Sequence, residues 1–445
     1  MDELSRLEDA RPGIKHAKPS SAVSGVDAEA SSPWVEVPAT FLQGRPAVVL
    51  FACFAFVYFF SALLRAITAT LAPVFAAELA LQSADLGLLA GAYFLGFAAT
   101  QLPLGKALDH FGPRRTLLAM LSLAVLGCAS FAMASGLTAL VLARVLIGAG
   151  LGACLMAPLT CYRRLFSPAA QLRANSWMLM TGSLGMVAST LPVQWLLPSL
   201  GWRGLFWGLA AMLLLSMVLL ACHVPRDRDL ASAGSMASTK YRHIARHAIF
   251  VRMAPLGFFA YGGLIAVQSL WAGPWLTRVS GWTTNEAAQG LFFINLCMLV
   301  AFFIWGAVMP RLVRLRVGAA SLMTWGLPLS LLLLTVNVWL GDQASAVHWA
   351  AWCVASSFVS VSQPAVAAAF APDQAGKALS AFNLVIFLGV FCVQWGLGIA
   401  IDLLGAQGLT AIDAFRWAFA GYGVCCLGAY LWFVWARPEA ADNRG

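Results

Sequence analysis

Charge is scarce in this sequence. Only 11% of its 445 residues are Asp, Glu, Lys or Arg, against about 25% in an ordinary soluble domain, which excludes a soluble globular chain. Carboxylates are missing from the middle of every long apolar run, and the nearest, Asp85 and Asp402, stand at run ends. The ten cysteines lie singly apart from Cys425 and Cys426, with no C-x-x-C spacing. Neither a zinc site nor a disulfide framework is indicated, and the thiols read as small packing groups. No histidine falls within the middle of a run and no phosphate-binding loop follows a strand pattern. Catalysis by a histidine–carboxylate pair and pumping driven by a nucleotide are therefore not indicated, and no metal or cofactor is expected. Residues 1–46 are polar and rich in Ala, Ser and Pro. They lack the apolar core and cleavage site of a signal peptide, so a disordered cytoplasmic tail is expected.

What the chain has in abundance is hydrophobicity: 60% of residues, with mean hydropathy +0.79. Twelve apolar runs recur, at 47–71, 84–105, 116–134, 138–160, 175–197, 204–222, 253–276, 287–310, 319–340, 346–370, 378–402 and 414–436. Each can cross about 30 Å of hydrocarbon as a helix. The sequence predicts an all-α membrane protein with twelve spans. The net charge of +9 invites a nucleic-acid partner, but placement argues otherwise. With the N-terminus inside, every Lys and Arg except Arg65, Arg144, Arg203, Arg278 and Arg416 falls on the inner side. That is the positive-inside pattern, with both termini cytoplasmic.

The longest hydrophilic connection, 223–252, separates six spans from six. The halves echo each other at offsets of 200 to 213. Tyr58 and Arg65 match Tyr261 and Gln268, Gly105 matches Gly306, and Val193-Gln194-Trp195 matches Val393-Gln394-Trp395. The pattern R-x-x-F-x-G occurs at Arg203–Gly208 and again at Arg416–Gly421. A duplicated six-helix unit follows, with bundles at 47–222 and 253–436 and a second cytoplasmic tail at 437–445.

Between spans 2 and 3 stands G-K-A-L-D-H-F-G-P-R-R, in which Gly105 and Gly112 permit a tight turn, Asp109 supplies an anion, and Arg114 and Arg115 stay outside the hydrocarbon. This resembles the signature loop of the major facilitator superfamily, and the resemblance extends over the twelve spans, the long middle loop and G-W-R-G-L-F at 201–206. Span 4 carries A-R-V-L-I-G-A-G-L-G from Ala143 to Gly152, similar to a second family motif; inside an apolar helix its glycines serve close packing rather than a nucleotide. Gly182, Gly185 and Pro192 in span 5 are a weaker match to the exporters' motif, and in the second-half loop Pro310 stands where Asp109 would. The resemblance implies two six-helix bundles around one cavity, lined by spans 1, 4, 7 and 10. It also implies alternating access by rocking of the halves in a bacterial inner membrane, with Asp109 as a latch near Lys377.

Arg65 lies within an apolar span, where an arginine costs roughly +2.5 to +3.5 kcal/mol. Tyr58, Ser61, Arg65 and Thr68 share one helix face, and Tyr261, Gln268, Trp271 and Trp275 form the matching stripe in span 7. Arg144 lies at a depth similar to that of Arg65. With no carboxylate at this depth, a substrate anion becomes the natural partner, since the planar guanidinium grips carboxylate or phosphate two-pronged. Capping of backbone carbonyls or packing on tyrosine is the structural alternative. Asn383 and Gln394, on one face of span 11, are further candidates, and span 10 offers Ser356, Ser357, Ser360 and Gln363. Most of the seventeen tryptophans, Trp352 included, are expected in interfacial belts. The expected function is secondary transport of a small organic anion by a monomer in the lipid bilayer. The alternatives are an exporter of a drug-like compound or siderophore and, behind these, a membrane enzyme or non-transporting sensor.

Overall fold

The computed structural model describes residues 42–225, 241–315 and 317–436. Most of the N-terminal tail, the R-D-R-D stretch at 226–229, Lys240, Arg316 and the tail at 437–445 lie outside the described residues. Beside a short helix at Tyr241–Arg246, the described residues form twelve long helices: α1 (Gly44–Glu78), α2 (Ser83–Phe111), α3 (Pro113–Met133), α4 (Leu137–Leu165), α5 (Pro168–Ala188) and α6 (Leu191–His223) in the first half, then α7 (Ala248–Arg278), α8 (Thr284–Arg314), α9 (Ala319–Leu340), α10 (Ala346–Ala368), α11 (Pro372–Ala406) and α12 (Ala411–Trp435). Among the described residues no strand occurs. All but α5 are long and apolar enough alone to cross a bilayer, making eleven.

The twelfth crossing is explained by Gly201, whose φ of 61° breaks the α6 backbone. Residues 191–200 complete the crossing that α5 begins, and residues 202–223 make the next one. The polar first turns of α5, with Gln171, Arg173 and Asn175, lower its own hydropathy. Several helices exceed their apolar runs: α1 reaches Glu78 rather than residue 71. Hydropathy marks the segment that lipid solvates, whereas backbone hydrogen bonding continues into the interface.

Glycines set how closely the helices approach. A Cβ on Gly148 would overlap the Tyr93 carbonyl of α2, and one on Gly150 would strike Ala124 of α3. The span 4 glycines are thus spent on packing. Gly182 leaves room for the Tyr58 ring, 2.6 Å from where its Cβ would stand, and Gly185 faces Phe59 and Ala62. Across the halves, α2 lies along α11, α5 along α8, and α1 against Val267–Arg278 of α7. Gly273 of α7 sits against the Ala69 carbonyl, 2.9 Å from its would-be Cβ.

The repeated R-x-x-F-x-G has a physical meaning. Arg203, near the start of the last crossing of its half, donates to the Ala134 carbonyl at the end of α3. Arg416, at the matching place, donates to the Val338 and Trp339 carbonyls at the end of α9. Each arginine caps the C-terminus of the third helix of its half, where free carbonyls and the helix dipole attract a cation. Arg203 also meets Glu78 at 2.5 Å, and the Trp202 indole donates to the same carboxylate at 2.6 Å, so G-W-R-G-L-F fastens α6 to the end of α1. Trp352 departs from the interfacial expectation. With Trp275 and Trp349 it is buried in an edge-to-face cluster on Phe419, because α10 presents that face to α7 and α12 rather than to lipid.

Candidate functional site

The polar stripe of α1 divides among different neighbours. Arg65 remains partly exposed, with its guanidinium between the phenols of Tyr93 and Tyr58 and 5.7 Å from the Phe97 ring centroid. Its Nε is buried without a hydrogen-bond partner. Arg203–Glu78 and Arg416–Asp413 form ion pairs, and among the described residues no carboxylate meets Arg65. Ser61 is fully buried beside Cys154, its hydroxyl without a partner, while its carbonyl accepts from the Tyr93 phenol at 3.5 Å. It does not share the open surface that Arg65 keeps.

Arg144 is fully buried and turns toward α1. One Nη donates to the Leu64 carbonyl at 3.0 Å, the other to the Thr68 hydroxyl, and the guanidinium lies over the Tyr93 ring at 5.4 Å. The two arginines flank one tyrosine at similar depth, but only Arg65 is open. Arg144 clamps the α1 backbone one residue before Arg65 and so fixes where that side chain emerges. Tyr93, Phe97 and Cys154 escaped the sequence reading because they sit in apolar surroundings. A lone tyrosine in span 2 was the available signal. Cys154 lies where α4 is interrupted between Leu151 and Met156.

Across from Arg65, the second half supplies a neutral polar chain. The Tyr261 phenol donates to Gln363 Oε1 at 3.3 Å, and Gln363 Nε2 donates to Asn383 Oδ1 at 2.6 Å. All three residues keep open surface, and Tyr261 is close enough to Arg65 and Tyr58 to feel both electrostatically. Two local irregularities place this chain. The backbone of α7 widens into π turns at Leu256–Tyr261 and Val267–Trp271, and α10 tightens into a 3₁₀ turn at Ser357–Val361. Such interruptions are common where helices carry function.

The remaining candidates are drawn into the second half's own interior. Gln268 donates to Asn295 at 3.0 Å, and Asn295 in turn donates to the Leu291 carbonyl. Gln394 donates to the Ser269 hydroxyl at 3.0 Å, while its backbone carbonyl accepts from the fully buried Trp271 indole. Gln268, Trp271 and Gln394 are therefore apart from the open surface at Arg65.

Both ends of the α2–α11 pair carry charge. At one end Asp109 faces Arg164, Arg163 and Lys377. Nearby, burial and the Asp109 carboxylate push the Tyr241 phenol above its usual pKa, and this phenol donates to the Leu102 carbonyl. Gly112, with φ 81°, makes the turn, and Pro113 opens α3. Gly105 does not help form that turn as expected. It lies inside α2 with open space around it, because the helix continues unbroken to Phe111. Arg114 donates to the Ala221 carbonyl of α6, and Arg115 stands beside it in the first turn of α3. At the other end, Asp402 of α11 accepts from the Ser83 and Ala84 N–H groups of α2 at 3.1 and 2.6 Å, and Arg278 of α7 donates to the Ser83 hydroxyl at 3.1 Å.

Comparison with known proteins adds a frame to this geometry. A bacterial homolog to the human lysosomal transporter Spinster superimposes in its inward-facing unoccupied and occupied forms with TM-scores of 0.68 and 0.70. Identity is 16% in both, covering 90% of this chain and 100% of that one. A D-xylose-proton symporter gives a TM-score of 0.72 at 17% identity, over 89% of this chain and 98% of that one. None of the curated proteins matches the sequence. The profile of the Major Facilitator Superfamily matches residues 54–393, most of the helical body. The chain belongs to the Major Facilitator Superfamily and is a multi-pass membrane transporter.

Proposed function

We propose that this transporter moves a small organic anion by secondary, alternating-access transport, with Arg65 as the group that binds the anionic head. One observation carries the reading: a partly exposed arginine at membrane depth, its guanidinium between Tyr58 and Tyr93, that no described carboxylate meets. A fixed charge there is costly unless compensated, and a carboxylate or phosphate compensates it with two parallel hydrogen bonds. Arg144 acts as the positioning residue beneath it.

The same reading gives orientation and coupling. Lys106, Arg114, Arg115, Arg163, Arg164 and Lys377 all gather at the Asp109 end, so the positive-inside rule assigns that end to the cytoplasm of a bacterial inner membrane. Both tails and the 223–252 connection then lie inside, joining bundles 47–222 and 253–436, and the transporter works as a monomer. Asp85 accepts from the Gln82 N–H and Asp402 caps α2. Employed as helix caps, they leave coupling to exchange of anions or to a proton travelling with the substrate.

Uptake of labelled organic anions into proteoliposomes tests the proposal. Arg65→Ala is expected to abolish uptake in folded protein, and Arg65→Lys to restore only part of it, because an ammonium lacks the fork. Wild-type rates in Arg65→Ala would overturn the assignment.

A further inference from the structure

The amide pair Gln363–Asn383 has a counterpart in the same half whose contrast is informative. In the Gln268–Asn295 pair, Gln268 Nε2 donates to Asn295 Oδ1, and Asn295 Nδ2 finds the Leu291 carbonyl at 2.9 Å. Both side chains are sealed, 6% and 2% exposed. That pair is complete, as buried polar groups in a stable interior are. In the Gln363–Asn383 pair the same first bond is made, at 2.6 Å. Yet among the described residues Asn383 Nδ2 has no acceptor, and both side chains keep open surface. Gln363 Oε1 is occupied by the Tyr261 phenol. An amide NH₂ carries two donors, so the chain ends in N–H groups aimed at nothing in the protein. A purely structural pair had a working solution one helix away and did not adopt it.

The chain runs from Tyr261, which lies within electrostatic range of Arg65, to Asn383 on α11. The two halves thus present unlike polar groups. The first half offers a cation, the second a row of neutral groups ending in donors, and no described carboxylate stands on either to receive an ammonium. We propose that Gln363 and Asn383 are specificity-determining residues that bind hydroxyl or carbonyl oxygens of the substrate, which is therefore a polyoxygenated carboxylate, a hydroxy or oxo acid without an amino group. This rests on Arg65 binding the carboxylate. Recognition is bipartite: the head is held by α1 of one half, the oxygenated body by α10 and α11 of the other. A plain short-chain acid fills only the first site and forgoes the hydrogen bonds that an oxygenated acid makes to the open donors of the second.

The test is competition binding on the purified full chain, using matched acids that differ only in oxygenation: gluconate against hexanoate, lactate against propionate, and their intermediates. At least one oxygenated member is expected to bind about tenfold or more tighter than its plain partner. Asn383→Leu should cut that ratio roughly tenfold by weakening the oxygenated acid alone, and Asn383→Ser, which keeps a small polar group, should recover part of it. Arg65→Ala should weaken both members equally. If no matched pair differs in wild type, or if the ratio survives Asn383→Leu in protein that still elutes as a folded species, the assignment to Asn383 and Gln363 is overturned while Arg65 stands. If the acids bind Arg65→Ala as well as wild type, the reading beneath fails instead.

Discussion

Removing the Asp402 carboxylate should unbalance the conformational equilibrium, and the size of the effect can be worked out. Its two oxygens accept the Ser83 and Ala84 N–H groups in the first turn of α2, at 3.1 and 2.6 Å. Losing a helix N-cap costs about 0.5–2 kcal/mol, and an anion at a helix N-terminus adds roughly 0.3–1 kcal/mol. The contact is part-buried, so solvent screening puts the total near the middle, about 1.5–2 kcal/mol. Asp402 and α2 belong to different halves, so under the proposed alternating access this contact holds only while that end is closed. Asp402→Ala should therefore shift the ratio of closed to open forms at that end by about ten- to thirty-fold, since 1.4 kcal/mol is tenfold. Asp402→Asn, which keeps one acceptor and loses the charge, should fall between. Pulsed electron–electron distance measurements with spin labels at Ser135 and Gln407 would read it, in a background without the exposed Cys222, Cys392 and Cys425. A closed-to-open ratio in Asp402→Ala within twofold of wild type, read from the distance distributions of folded protein, would refute the reasoning.

Three further outcomes are expected. Gly148→Ala places a methyl on the Tyr93 backbone carbonyl, which no rotamer can relieve, so a loss of about 1–3 kcal/mol or more should appear as a lowered melting temperature. Gly105→Ala, with nothing near its Cβ, should be neutral or slightly stabilising by the same measurement. Asp109→Asn removes the anion facing Arg164, Arg163 and Lys377 while leaving Arg65 untouched. Turnover in proteoliposomes should fall with little change in the concentration giving half-maximal uptake, and the reverse split would reject the latch.

Hydropathy is a local property, and for that reason the spans could be read directly from the sequence, twelve runs against eleven helices that qualify alone. Lipid demands about twenty apolar residues whatever the neighbours are, and the repeat R-x-x-F-x-G marked two arginines that cap equivalent helices, Arg203 on α3 and Arg416 on α9. Helical periodicity also grouped Tyr58, Ser61, Arg65 and Thr68 correctly on one face. It could not say what stands opposite each. Thr68 meets Arg144, Ser61 is sealed against Tyr93, and only Arg65 and Tyr58 approach Tyr261. Likewise Gln268, Trp271 and Gln394 look as available in sequence as Gln363 and Asn383, yet the first three find partners inside their own half and the last two end in open donors. The capping of α2 by Asp402 joins residues more than three hundred positions apart. Sequence determined which residues are polar and on which side of their helix. The rotation and approach of helices distant in the chain, set by glycine contacts such as Gly148 on Tyr93 and Gly182 on Tyr58, decided which of those residues stayed free to meet a ligand.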